Sequence, residues 1–282
     1  MKRKLTAPVR LGAFAGLAAA IAAMISACGQ PASKTQAPAP AAREARNGEG
    51  GYLPAPEVLT AVRAPSGAIV LTGHAPPESL LRLASPEGNA FGASAGPDGQ
   101  WRLELAPVDR ARMFAMSADA AGRPVHAQGA LVVLPAPSPV ALMVRSGYGA
   151  LPVGRATATP VIVAVDYDPA GVAAVAGLTA PHAPVRLSLD GAMAGQTRAD
   201  ALGRFAVLAP NHPLAPGPHL AAVATPGGDA QLTVQVAPAA PLSSPYRAVR
   251  EGAAWRIDWA LSPPGSGLQT TVIPDPAQGP SA

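Results

Sequence analysis

Residues 66–83 read SGAIVLTGHAPPESLLRL, and residues 170–187 read AGVAAVAGLTAPHAPVRL. The two stretches align without a gap, so that Gly73 in the first corresponds to Gly177 in the second, 104 positions later. In each stretch a short apolar run ends at this glycine, a turn containing proline follows, and a second apolar run begins. Self-similarity of this kind indicates that the chain repeats one structural unit.

The repeat extends beyond these stretches. PDGQWRLEL at residues 97–105 matches ALGRFAVLA at residues 201–209 with the same offset. FAMSADAAGR at residues 114–123 matches LAAVATPGGD at residues 220–229 after a shift of two positions. Each unit is also followed, at about the same distance, by a segment beginning with Ser-Pro: SPVALMVRSG in the first case and SPYRAVREG in the second. These last two segments share few identical residues.

Within a unit, apolar and charged residues alternate. Trp101, Leu103 and Leu105 are apolar, whereas the intervening Arg102 and Glu104 are charged. A period of two residues predicts β-strands with one buried and one solvated face. The 29 Gly and 34 Pro residues provide many turns, and an aromatic content of 4% leaves a core built mainly from Val, Leu, Ile and Ala. A unit of about 80 residues with such strands suits a two-sheet sandwich.

The order of these features resembles the bacterial Ig-like domains of surface and envelope proteins. The resemblance lies in a glycine turn before V/L-x-L, then G-x-W/F, then A-x-A-x-x-x-x-G, and it covers residues 57–136 and 161–237. It implies an all-β protein with two tandem Ig-like β-sandwich domains, without the disulfide of antibody-type domains. The predicted domains are residues 57–137 and 161–237, with a connecting strand or hairpin at 138–160 and a C-terminal hairpin and tail at 238–282.

The C-terminal hairpin is predicted from WRIDWAL (255–261) and GLQTTVI (267–273), which flank the turn sequence SPPGS. Alternation places Trp255, Ile257 and Trp259 on one face of the first strand. Two tryptophans four residues apart along a strand lie about 13 Å apart, a spacing that suits successive sugars of a glycan. Large aromatic side chains more commonly fill a core or a junction between domains, and we expect that role here.

The N-terminus has the pattern of an export signal. A basic start is followed by an uncharged, largely apolar run at residues 11–27, as in secretory signal peptides. The sequence Ile25-Ser26-Ala27-Cys28 resembles the lipobox of bacterial lipoproteins. This resemblance implies that residues 1–27 are removed and that Cys28, the only cysteine, carries the lipid. Gly29 stands where lipoproteins retained at the inner membrane often have Asp, which favours the outer membrane.

Charge argues against nucleic-acid binding. The formal net charge is +4 and the pI is 9.6, but residues 1–27 contain four basic residues and no acidic one. The rest of the chain is therefore close to neutral and has no excess of cations to neutralise phosphates. Residues 28–56 are rich in Pro, Ala and Gly and lack apolar periodicity, which predicts a disordered tether.

One motif matches a catalytic sequence pattern. Residues 92–96 read GASAG, which matches the G-x-S-x-G nucleophile elbow of serine hydrolases. That elbow needs a helix after the serine, whereas Ser94 is followed by the turn residues Gly96, Pro97 and Asp98. The repeat places an arginine, Arg198, at the position equivalent to Ser94. We therefore expect no catalytic residue here.

We likewise predict no metal site and no cofactor. Residues 166–171, DYDPAG, begin like an EF-hand calcium loop, but Ala170 occupies the fifth position and Gly177 the twelfth, where a bidentate Glu is needed. A looser calcium site between the domains is the remaining alternative. The histidines have no metal-binding spacing; they are His74, His126, His182, His212 and His219.

Together these features predict a non-catalytic lipoprotein of the cell envelope, anchored in the outer membrane and facing the periplasm. Its tandem Ig-like domains would serve a structural or protein-interaction role. The first alternative is a lipoprotein that binds peptidoglycan or another glycan through Trp255 and Trp259. A serine hydrolase using Ser94 is the weakest alternative. The expected partners are the membrane and an envelope protein or glycan, and not nucleic acid.

Overall fold

A computed structural model describes residues 52–261 and 267–275. The predicted signal peptide, Cys28 and most of the tether lie outside these residues. The described chain is all-β, and no helix in it is long and apolar enough to cross a membrane. Its strands are β1 (Glu57–Arg63), β2 (Ile69–His74), β3 (Leu80–Ala84), β4 (Ala90–Ser94), β5 (Gln100–Leu105), β6 (Arg112–Ala120), β7 (Arg123–Val133), β8 (Ala141–Val144), β9 (Leu151–Pro152), β10 (Val161–Tyr167), β11 (Ala173–Leu178), β12 (Pro184–Leu189), β13 (Ala192–Arg198), β14 (Arg204–Ala209), β15 (Gly217–Thr225), β16 (Gly228–Val236), β17 (Tyr246–Glu251), β18 (Ala254–Ala260) and β19 (Leu268–Pro274).

These strands form four antiparallel sheets in two sandwiches. In sandwich 1, an outer sheet of order β1-β2-β5 packs on an inner sheet of order β4-β3-β6-β7-β8-β9. In sandwich 2, an inner sheet of order β14-β11-β10-β19-β18-β17 packs on an outer sheet of order β13-β12-β15-β16. The prediction of two tandem Ig-like sandwiches is confirmed, because strands β1–β7 and β10–β16 are arranged in the same way. In each set of seven, the first, second and fifth strands form one sheet, and the fourth, third, sixth and seventh strands form the other.

The repeated glycine and aromatic residue have a common structural reason. Gly73 in β2 pairs with Trp101 in β5, and Gly177 in β11 pairs with Phe205 in β14. A Cβ atom on Gly73 would lie 2.6 Å from Cζ2 of Trp101, and one on Gly177 would lie 2.5 Å from Cζ of Phe205. The buried ring lies across the backbone of the neighbouring strand, so this position in both sandwiches requires glycine.

The segments that follow the two units join different sheets. In sandwich 1, β8 pairs with β7 and extends the inner sheet. In sandwich 2, β17 pairs with β18, which joins the sheet of β10 through β19. The similarity between SPVALMV and SPYRAVR therefore marks equivalent places along the chain, but not equivalent places in a sheet.

The two inner sheets pack face to face, so the molecule has four layers of sheet. A third apolar cluster, the junction core, lies between them. Met113, Val132 and Leu142 contribute to it from sandwich 1, and Ala164 and Ala176 contribute from sandwich 2. The face of β18 that carries Trp255, Ile257 and Trp259 completes the junction core. This explains why β8 and β10 are apolar on both faces: one face lines a sandwich core and the other lines the junction.

Candidate functional site

The tryptophans singled out from the sequence lie in the junction core. Trp255 is 9% exposed, Trp259 is 5% exposed, and Ile257 between them is fully buried. The Trp259 Nε1 donates a hydrogen bond of 3.1 Å to the Thr271 Oγ1. A sugar-binding platform needs an aromatic face open to solvent, whereas these rings are covered by protein. Because both rings lie between the two inner sheets, the feature that they build is the contact between the sandwiches. We therefore take the junction as the candidate functional site.

The opposite face of β18 is also buried, and it carries an ion-pair cluster. The Asp258 carboxylate accepts hydrogen bonds from the Arg256 Nε at 2.9 Å, the Thr270 Oγ1 at 2.7 Å and an Arg247 Nη at 3.0 Å. Burial acts to raise the pKa of Asp258, but these hydrogen bonds and the charge of Arg256 outweigh it and hold the pKa below its usual value. Arg256 also donates to the carbonyl oxygen of Ala237 at 2.9 Å. The cluster thereby ties the C-terminal strands to the chain that leaves β16.

A second buried carboxylate links the sandwiches. Asp166 in β10 is 2% exposed, and its carboxylate accepts hydrogen bonds from the Ala150 amide at 2.7 Å and the Thr271 Oγ1 at 2.5 Å. Burial raises the pKa of Asp166 to about 6, even though these donors, Gln269 and the charge of Arg145 favour the ionised form. Since Ala150 precedes β9 of sandwich 1, this carboxylate joins the two inner sheets at the rim of the junction.

Two further contacts complete the rim. Ser138, which lies between β7 and β8 of sandwich 1, donates a hydrogen bond of 2.5 Å to Asp275, and Asp275 forms an ion pair with Arg250. The hydroxyl of Tyr246 in β17 donates a hydrogen bond of 2.8 Å to Glu87 in the β3–β4 turn. Burial and this carboxylate raise the pKa of Tyr246 to about 12, so the phenol stays protonated and continues to donate.

Ser94 is placed as the repeat predicted. It ends β4 opposite Leu80, and Arg198 ends β13 opposite Pro184, the position equivalent to Leu80. A turn and then β5 follow Ser94, where a nucleophile elbow requires a helix. The local arrangement is a strand, a turn and a strand, which does not present a serine as a nucleophile.

The DYDPAG segment forms a tight turn. The Asp168 carboxylate accepts hydrogen bonds of 2.9 Å from the backbone amides of Ala170 and Val172, whereas the Asp166 side chain points into the junction. Residues 52–261 and 267–275 contain no group of three or more His, Cys, Asp or Glu residues that could hold a metal ion.

Sequence reasoning missed the buried polar residues. Asp166 was considered only as part of a calcium loop, and Asp258, Gln269 and Asp275 were not singled out. Charged residues inside otherwise apolar strands were the available signal. Their partners lie up to 137 positions away in the chain, as for Ser138 and Asp275, and no local pattern identifies such pairs.

No family model matches this chain, and no curated protein matches it. Among solved structures, it is similar to the BSP domain of a biofilm-associated protein, with 14% identity and a TM-score of 0.22 over 67% of this chain. It is also similar to the central fibronectin-III array of RIM-binding protein, with 13% identity, a TM-score of 0.27, and coverage of 73% of this chain and 71% of that one. This chain spans 30% of the length of the BSP structure. Since these TM-scores are low, the fold assignment rests on the strand order.

Proposed function

We propose that this chain is a non-catalytic lipoprotein of the cell envelope whose two sandwiches act as a single stiff body. The junction core is the observation that carries this proposal. Contacts between domains of one chain are commonly polar and permit relative motion, unless the interface is large and apolar. Here Trp255, Ile257 and Trp259 are buried between two six-stranded sheets. Relative motion of the sandwiches would expose these side chains to water, at a free-energy cost of several kcal/mol.

The lipobox at Ile25–Cys28 supports the anchoring part of the proposal. Two or three acyl chains on Cys28 hold a protein stably on a membrane, because each buried CH₂ contributes about 0.8 kcal/mol. The 24 residues from 28 to 51 would extend to about 80 Å at most, at about 3.4 Å per residue. We propose that the stiff body faces the periplasm and that its surface meets an envelope protein there.

The stiffness is tested by a distance measurement across the junction. Spin labels are attached in the mature chain through Arg102→Cys and Arg186→Cys, which lie on exposed positions of the two outer sheets, with Cys28→Ala to remove the other thiol. We expect one narrow distance distribution. The same pair in an Ile257→Asp background should broaden, since a charge in the junction core opens it. A broad distribution without the Ile257 substitution would refute the single-body proposal.

The anchor is tested separately. Metabolic labelling with a palmitate analogue should mark the wild-type protein in the membrane fraction, and Cys28→Ala should be unlabelled and released from it. Cys28→Ser is the matched control that preserves size and polarity but not the thiol. Equal labelling of all three proteins would rule out lipid attachment at this position.

A further inference from the structure

The inner sheet of sandwich 2 is wider than the outer sheet that covers it. Beyond β10 it continues through β19, β18 and β17, whereas the outer sheet ends at β16. The result is a groove of about 210 Å³ along the edge of β16. Leu232, Thr233 and Gln235 of β16 line one side of it, and Ala254, Arg256 and Val272 of the inner sheet line the other. The Glu251 carboxylate at the end of β17 also lines it. Leu232 and Ala254 pack against the core of sandwich 2, so the groove is continuous with that core.

The backbone edge of β16 is open and unprotected. β16 pairs with β15 over nine consecutive residue pairs without a bulge, and no other described strand pairs with it. Its sequence, GDAQLTVQV, contains one charged residue and no proline. Three other edges have the usual protection against strand addition: β1 is bulged between Val58 and Thr60, β9 has two residues, and β17 carries Arg247, Arg250 and Glu251.

In sandwich 1 the equivalent strand edge is occupied by another strand. In the strand order that the two sandwiches share, β7 of sandwich 1 holds the place that β16 holds in sandwich 2. Residues 130–133 of β7 therefore lie on the edge equivalent to the edge of β16. In sandwich 1 these residues pair with β8, an antiparallel strand whose Ala141 and Met143 face the sandwich core.

The chain of sandwich 2 leaves the corresponding edge empty. After β16 it turns away at Ala237, whose carbonyl oxygen accepts hydrogen bonds from Arg256 at 2.9 Å and from the Tyr167 hydroxyl at 3.2 Å. The Tyr167 oxygen in turn accepts from the Ala237 amide at 3.2 Å. These bonds direct the chain to β17, which joins the inner sheet. No described segment takes the place that β8 has in sandwich 1.

We propose that the edge of β16 binds an extended segment of a partner protein as an added antiparallel strand. The backbone of β16 supplies the hydrogen bonds, and the groove accepts uncharged, apolar side chains at alternate positions, as Ala141 and Met143 occupy the core in β8. This adds a binding site to the proposed envelope role and does not depend on the lipid anchor.

The width of the overhang favours a single strand over a second copy of this chain. Neighbouring strands lie about 4.8 Å apart, so β18 and β17 extend roughly 10 Å beneath the edge. A second copy pairing through its own β16 would bring its own overhanging strands into the same space, and the two inner sheets would collide.

The binding test uses a peptide with the sequence of β8 and its flanks, SPVALMVRSG, labelled with fluorescein and titrated with the mature chain carrying Cys28→Ala. Fluorescence anisotropy should show saturable binding. Thr233→Lys combined with Gln235→Lys places two cations on the edge and should weaken binding by about tenfold or more. Gln196→Lys, an exposed position on β13 at the opposite edge of the same sheet, is the matched control and should bind as the parent does.

Two N-methylated peptides distinguish strand addition from apolar adhesion. One peptide carries methyl groups on the backbone nitrogens of its odd-numbered residues, and the other on those of its even-numbered residues. Strand pairing uses the N–H groups of one phase only, so one peptide should lose binding and the other should retain it.

Three results would overturn the proposal: no saturation by 1 mM of the mature chain (a Kd weaker than about 1 mM), equal binding by the lysine variant, or equal effects of both methylated peptides. It would also fall if removal of residues 276–282 raised peptide affinity by about tenfold or more, since the chain's own tail would then occupy the edge. A dimer in sedimentation that the lysine variant dissociates would identify a second copy as the occupant. None of these outcomes bears on lipid attachment or on the stiffness of the junction.

Discussion

Removing the Trp259 side chain tests whether the junction core stabilises the molecule. Trp259 is 5% exposed and its ring lies among apolar residues of both inner sheets. Truncation of a buried Trp to Ala costs about 3–5 kcal/mol, through lost transfer free energy and the cavity that remains. The substitution also removes the donor to the Thr271 Oγ1, and a lost hydrogen bond adds about 1 kcal/mol. We therefore expect Trp259→Ala to lower the free energy of unfolding by about 4–6 kcal/mol.

Trp255 provides a comparison within the same cluster. It is buried to a similar extent, but its Nε1 has no hydrogen-bond partner among the described residues. The Arg250 guanidinium lies 5.7 Å from its ring centroid. Trp255→Ala loses no paired donor but loses this cation–π contact of about 0.5–1 kcal/mol, so it should cost about as much as Trp259→Ala.

Urea denaturation of the mature chain, followed by circular dichroism, measures these differences. Met193→Ala, at a side chain that is 52% exposed, is the control and should change the unfolding free energy by less than about 0.5 kcal/mol. If Trp259→Ala also stays within about 0.5 kcal/mol of wild type, the ring is not buried in solution and the junction core does not hold the sandwiches together.

Three further predictions concern other residues. Because the folded-state pKa of Asp166 is raised from 3.8 to about 6, its contribution to stability is fully present below pH 4 and is lost as the pH rises through 6. The unfolding free energy of wild type relative to Asp166→Asn should thus fall by about 2 kcal/mol between pH 4 and pH 7, and a flat difference would contradict this. Gly177→Ala should destabilise sandwich 2 by more than about 2 kcal/mol in thermal unfolding, since its Cβ meets the Phe205 ring, whereas Gly154→Ala, where a Cβ would lie 3.5 Å from the Leu178 Cδ1, should cost less. A fluorophosphonate probe should not label the purified protein, and labelling that Ser94→Ala abolishes would restore the hydrolase hypothesis.

The local sequence contained most of the information about the individual sandwiches. Alternation such as Trp101-Arg102-Leu103 predicts a strand because successive side chains point to opposite faces of a sheet. The offset of 104 positions then identifies equivalent strands, and the strand bounds follow it closely, as for β2 at Ile69–His74 and β11 at Ala173–Leu178. The pairing of Gly73 with Trp101 is also visible as a repeated motif, because the same close approach occurs in both units.

Only the tertiary structure decided how the sandwiches are joined. Alternation on β18 shows that the face of Trp255 and Trp259 is covered, but it does not show which surface covers it. The other face looks solvated from its charges, yet Arg256 and Asp258 are 3% and 0% exposed because they neutralise each other and bond to residues distant in sequence. Which sheet a strand joins depends on the free edges that the rest of the chain leaves, so the similar segments that form β8 and β17 add to different sheets. Face periodicity is a local property of a strand, whereas the surface that buries each face and the edge that each strand meets are set by the packing of the whole chain.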